Sequence, residues 1–143
     1  MNSIIKCVSA LLLMGSITTS CGSAKDANSE EILTGTTWEL SAIKGQKVDA
    51  SKYSRGLPYI AFTKDNKVSG NSGCNGYGGT YNLNDEGGIN ISQLIATKMF
   101  CEGVNENEFF TAIEEVDMTK IDQDKLVLMK GVDEVMTFIP TKK

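Results

Sequence analysis

The chain of 143 residues contains no histidine. That absence removes the commonest general base, proton shuttle and transition-metal ligand near neutral pH. Ser-His and Cys-His nucleophile pairs, histidine-containing zinc sites and haem-histidine ligation are excluded, leaving carboxylate, lysine or tyrosine chemistry to any enzyme built on this sequence. Clusters of cations are missing too: 14 Lys and Arg are scattered among 18 Asp and Glu, for a formal charge of -4. Neutralising phosphates takes Lys and Arg grouped on one face, so nucleic acid is not an expected partner. The apolar stretch Val8 to Ile17 is too short to span a bilayer. No internal repeat or low-complexity segment is visible, and no carboxylates follow the spacing of a calcium loop.

What is present at the start reads as an address. Lys6 supplies a positive n-region and Val8 to Ile17 an h-region, so residues 1–20 are expected to be a signal peptide. Ser16-Ile17-Thr18-Thr19-Ser20-Cys21-Gly22 resembles the lipobox of bacterial lipoproteins, with Thr18 departing from the usual Leu. Cys21 is then the lipid anchor, and two or three acyl chains would make membrane residence effectively permanent. The alternative is an ordinary secretory leader with Cys21 unmodified. Loss of Lys6 with the leader takes the formal charge to -5, because no other ionisable side chain precedes Cys21. Residues 21–32 are expected to form the lipidated cysteine and a flexible tether, since Ser23 to Glu31 has no apolar periodicity. Such a tether holds the domain about 15 to 20 Å from its anchor on average. The expected location is the cell envelope, on the outer membrane, facing the periplasm or the surface.

From Leu33 onward, short alternating runs are punctuated by turns, as in antiparallel β structure. Thr37 to Ile43 places Trp38, Leu40 and Ala42 on one face, and Tyr59 to Thr63 pairs with Lys67 to Gly70 across the Asp65-Asn66 turn. Gly79 to Leu83 and Ile89 to Ile91 flank a turn cluster, and Leu94 to Met99 forms a separate apolar run. Asn105 through Val116 brings Phe109, Phe110, Ile113 and Val116 to one helical face, with Asn105 and Glu108 spaced as an N-cap and its partner. Three further runs follow: Val116 to Ile121, Lys125 to Met129 and Val135 to Ile139. The expected fold is mainly β (α+β), a small antiparallel barrel-like sheet of about eight strands with a single helix packed on it. A monomeric domain is expected.

Cys7 leaves with the leader and Cys21 is claimed by lipid, so Cys74 and Cys101 remain. In an oxidising compartment two thiols make one disulfide, worth about 3 to 4 kcal/mol in the chain-entropy picture; two separately buried thiols are the alternative. These cysteines sit in a pattern. Trp38-x-Leu40, Val68-Ser69-Gly70-x-x-Gly73-Cys74-Asn75-x-Tyr77-x-Gly79-x-Tyr81, Ile95-Ala96-Thr97-Lys98-Met99-Phe100-Cys101, Glu108-Phe109 and Leu126-x-Leu128 together resemble the META domain family, which includes HslJ. The resemblance covers about Leu33 to Pro140 of a domain spanning residues 33–143 and marks Trp38, Gly70, Gly73, Asn75, Thr97 and Met99 as motif positions. It implies a compact β-rich domain with one helix, a paired Cys74 and Cys101, and an association with the envelope or with stress. It supplies no catalytic residues.

Other chemistry is thinly supported. The glycine-rich run Gly70 to Gly79 lacks the Lys-Ser/Thr of a phosphate-binding loop, and its glycines read as bends beside the cysteine, or as a contact surface with Asn71, Asn75 and Tyr77 exposed. The acidic groups (Asp85-Glu86, Glu102 with Glu106 and Glu108, Glu114-Glu115, Asp122 with Asp124) read as solvated surface. The expectation is therefore a non-catalytic, lipid-anchored envelope protein without metal or cofactor. Its partners would be the membrane, through its lipid, and an unidentified envelope protein or small ligand. Alternatives are a small-ligand- or protease-binding barrel, or a carboxylate-dependent glycan hydrolase.

Overall fold

The computed structural model describes residues 24–141. The signal peptide and Cys21 lie outside the described residues.

A helix, α1 (Ala24–Gly35), leads into the first strand, β1 (Thr37–Ile43). This corrects the expectation of a flexible tether. The polar composition of Ser23 to Glu31 hides the anchor, which comes later: Leu33 is buried in the core, and its carbonyl accepts the indole N–H of Trp38 at 3.1 Å. A short helix is marginal on its own and is held by tertiary contacts, here at its C-terminal end.

The remaining strands are β2 (Gln46–Lys47), β3 (Tyr59–Phe62), β4 (Lys67–Asn71), β5 (Gly76–Leu83), β6 (Ile89–Ala96), β7 (Met118–Asp122), β8 (Lys125–Lys130) and β9 (Asp133–Pro140). They form one antiparallel sheet in the order β6-β5-β4-β3-β1-β9-β8-β7, with β2 paired to β1 off this path. The architecture is mainly β as expected, with nine strands and two α-helices among the described residues, and the sheet is barrel-like only loosely because it does not close. Its two edges meet at one bridge, Gly88 with Met118, where Ile89 N donates to Asp117 O at 2.9 Å and Thr119 N to Gly87 O at 2.7 Å.

Two expectations shift within the sheet. Ile89 to Ile91 and Leu94 to Met99, read as separate runs, belong largely to one strand. Their alternation is broken by a bulge: Thr80 pairs with Ser92 but Gly78 with Ile95, and Gln93 between them has a φ of 54°. β5 also begins earlier than Gly79, because glycines cannot signal a strand through side-chain alternation.

Alternating positions supply the core, in which Trp38, Leu40, Ile60, Phe62, Val68, Leu126, Leu128, Met136 and Phe138 are fully buried. Each such side chain contributes about 1.5 to 3 kcal/mol relative to exposure. The second helix, α2 (Glu106–Glu114), buries Phe109, Ala112 and Ile113 against this core, and Tyr77 packs on both Phe109 and Phe110 with ring centroids 5.5 and 5.7 Å apart. Asn105 is its N-cap residue but makes no side-chain cap bond, so the expected capping box is not formed. The carboxylate that matters in the first turn is Glu106, and it is directed elsewhere.

Candidate functional site

The glycine-rich run turns the chain from β4 into β5, and among its glycines Gly70 and Gly73 are sterically required at the turn. A Cβ on Gly70 would lie 2.0 Å from the Tyr59 carbonyl oxygen. At Gly73 the φ is +100°, a left-handed conformation, and a Cβ would lie 2.3 Å from the Tyr53 ring. The turn presents Ser72 and Asn75, which are 1% and 2% exposed, so the reading of Asn75 as a surface contact is corrected. Tyr77 is buried as well, its hydroxyl donating to Tyr59 O at 3.1 Å, and burial pushes that hydroxyl far above its ordinary range.

Asn75 uses its whole amide. Its Oδ1 accepts from the Thr97 hydroxyl and from Met99 N, each at 2.7 Å; its Nδ2 donates to Met99 O at 3.0 Å and to Glu106 at 2.6 Å. That fills its side-chain hydrogen-bonding capacity, two donors and two acceptor sites. Its backbone N–H donates to the other oxygen of Glu106 at 2.9 Å, and the Ser72 hydroxyl donates to that same carboxylate oxygen. The disulfide between Cys74 and Cys101, with Cα atoms 5.8 Å apart, joins the same two segments. Thr97 to Cys101 is thus fastened to the 72–75 turn by a covalent bond and by a saturated polar knot.

This geometry explains the motif spacing. Gly73 allows the turn, Cys74 and Asn75 grip the distant segment, and Thr97 and Met99 are gripped. Met99 contributes its backbone, while its side chain is 47% exposed beside Arg55, and neighbouring Phe100 is 92% exposed. Trp38, the remaining motif position, sits in the core at the α1 latch. Ser72 and Glu106 are site residues that the sequence did not reveal: Glu106 was grouped with Glu102 and Glu108 as solvated surface, and its role depends on α2 lying against the turn. Chemically the knot holds a loop, since its hydroxyl and carboxylate face one another and the Asn75 amide.

The other acidic groups are dispersed. Glu115 pairs with Lys44 at 3.1 Å and Asp122 with Lys120 at 3.0 Å, while Glu102, Glu108, Glu114 and Asp124 are exposed. Asp85 and Glu86 differ, because they border a cavity of about 600 Å³ where α1, the β5–β6 turn and β7 come together beside the sheet's open seam. Leu33, Tyr81, Leu83 and Ile121 give it an apolar lining, and Glu30 joins Asp85 and Glu86 around it. Tyr81 donates its hydroxyl to Thr63 O at 2.9 Å; burial first, then the carboxylates of Glu30 and Asp65, raise its ionisation above the ordinary tyrosine range. Asn84 is occupied in the turn, its Oδ1 accepting from Glu86 N at 3.0 Å and Gly88 N at 2.7 Å. Among the described residues, the hydroxyl oxygen of Thr119, on the same lining, is the buried side-chain polar atom without a partner. No group of three or more His, Cys, Asp and Glu that could hold a metal occurs among the described residues.

Comparison with known proteins supports this architecture. A family model described as "META domain" matches residues 31–143. A search of curated proteins finds no match. Among solved structures, an NMR structure of a protein from Burkholderia xenovorans is 21% identical, with 98% of this chain and 100% of that one covered and a TM-score of 0.64. A second NMR structure is 21% identical over 76% of this chain and 92% of its own, with a TM-score of 0.60. The crystal structure of a DUF4847 family protein from Bacteroides vulgatus is 19% identical, covering 80% of this chain and 99% of that one, with a TM-score of 0.57. At these identities the three structures speak to the fold alone.

Proposed function

The chain belongs to the META domain family, and from that premise we propose that it is a non-catalytic, lipid-anchored domain of the cell envelope that binds or shields another envelope component. The observation that carries the reading is the use to which the motif's polar groups are put. Asn75 and Thr97, both motif positions, are hydrogen-bonded to each other, and Asn75 is bonded further to the backbone of Met99 and to Glu106, so the polar residues of the family pattern act as fasteners. A disulfide beside them suits an exported protein, because such bonds persist in oxidising compartments. The lipobox-like segment ending at Cys21 supplies the anchor, and α1 follows it within a few residues, so the domain sits close to the bilayer surface.

The test has two parts. Mass spectrometry of the native protein from membranes is expected to find a diacylglyceryl mass on Cys21, and a free thiol there would remove the anchor. Crosslinking in cells is expected to join the protein to a defined envelope component and to lose that product in Cys21→Ala. Turnover of envelope glycans by the purified protein, abolished by Asp85→Asn or Glu86→Gln, would replace the binding role with hydrolysis.

A further inference from the structure

We infer that the cavity between α1, the β5–β6 turn and β7 is a binding site for a small organic cation with an apolar body, such as an alkyl- or arylammonium compound. This goes beyond the tethered-domain reading and is tested separately from it. The volume, about 600 Å³, lies in the range of sites that hold small molecules. Apolar surface is offered chiefly by the half-buried Leu83 and Ile121, beside the buried Leu33 and Tyr81, which favours a hydrocarbon body.

Charge then selects the head. Glu30, Asp85 and Glu86 border the cavity, and among the described residues none of them is in an ion pair. The cation on the lining, Lys120, is already paired with Asp122 at 3.0 Å. An ammonium group entering here is attracted by carboxylates that have no competing partner, whereas an anion is repelled. Thr119 is also on the lining, between the carboxylate-bearing turn and Ile121.

The experiment uses the full mature protein in zwitterionic phospholipid nanodiscs, with methyl resonances of Leu83 and Ile121 as reporters. Three probes of matched size are titrated: 2-phenylethylammonium, 2-phenylethanol and 3-phenylpropionate. Saturable shifts with the ammonium compound are expected, weaker ones with the alcohol and none with the carboxylate. Asp85→Asn combined with Glu86→Gln, both in an exposed turn, is expected to lower ammonium affinity on the order of tenfold, and Ile121→Trp, whose larger side chain narrows the cavity, to weaken it as well. Equal binding of the alcohol and the ammonium compound would overturn the assignment of a cation. Absence of saturable shifts, or binding undiminished in Ile121→Trp, would overturn the site itself.

Discussion

At the scale of single residues, Asn75 has the most to lose. Asn75→Ala leaves Met99 N, Met99 O and part of the Glu106 carboxylate without their partners in a part-buried setting. A buried group deprived of its hydrogen bond costs about 1 to 3 kcal/mol, so the variant is expected to lose roughly 3 kcal/mol or more in urea denaturation. Asn75→Asp replaces the donor with a second carboxylate facing Glu106. It should be destabilised near neutral pH and regain stability on acidification as the pair shares a proton, which a denaturation series across pH 4 to 7 would detect. Gly70→Ala is expected to fold poorly, because its methyl would lie 2.0 Å from the Tyr59 carbonyl oxygen, far inside van der Waals contact. The motif residues themselves were legible in the sequence, and their reasons were not. Nothing local in Gly-Cys-Asn tells that its amide is matched to a Thr-Lys-Met segment more than twenty positions later, nor that Glu106 will arrive from a helix to complete it.

At the scale of elements, alternation located the strands and periodicity located α2, because both depend on side chains repeating within one element. Signals failed where the deciding contact lay outside the window. The bulge at Gln93 broke one strand into two apparent runs, and the helical tether depended on Leu33, just beyond the polar stretch that masked it. Leu33→Ala is expected to cost about 2 to 5 kcal/mol and to speed amide exchange throughout α1 while β3 and β4 stay protected. The disulfide belongs to this scale as well. It closes a loop across 27 positions, so reduction should lower stability by about 3 to 4 kcal/mol. Because the Asn75 bonds remain, the Met99 amide is expected to stay protected from exchange in the reduced protein. Rapid exchange there would mean that the polar knot has no strength without the sulfur bridge.

At the scale of the whole molecule, the lack of histidine shapes the pH response. Tyr53, Tyr77 and Tyr81 all ionise above their ordinary value, each chiefly because burial disfavours the phenolate. A tyrosine with a raised pKa in the folded state contributes stability that is fully present below about pH 10, the unfolded value, and lost as pH climbs toward the folded value. The midpoint of denaturation is therefore expected to be level from about pH 6 to 9 and to fall above about 10, with tyrosinate absorbance rising in step with unfolding. Tyr77→Phe should soften that alkaline fall. The sequence conveyed a sheet-built body but not its incomplete closure, since the Gly88–Met118 bridge joins residues that carry no pairing signal. The position of β1 has a mechanical consequence. This strand receives the chain from α1 and lies in the middle of the sheet, hydrogen-bonded on both flanks to β3 and β9. A pull exerted through the N-terminal segment passes first into the Leu33–Trp38 latch and then along β1, loading two ladders of bonds sideways and together, so that the body resists being unravelled from that end.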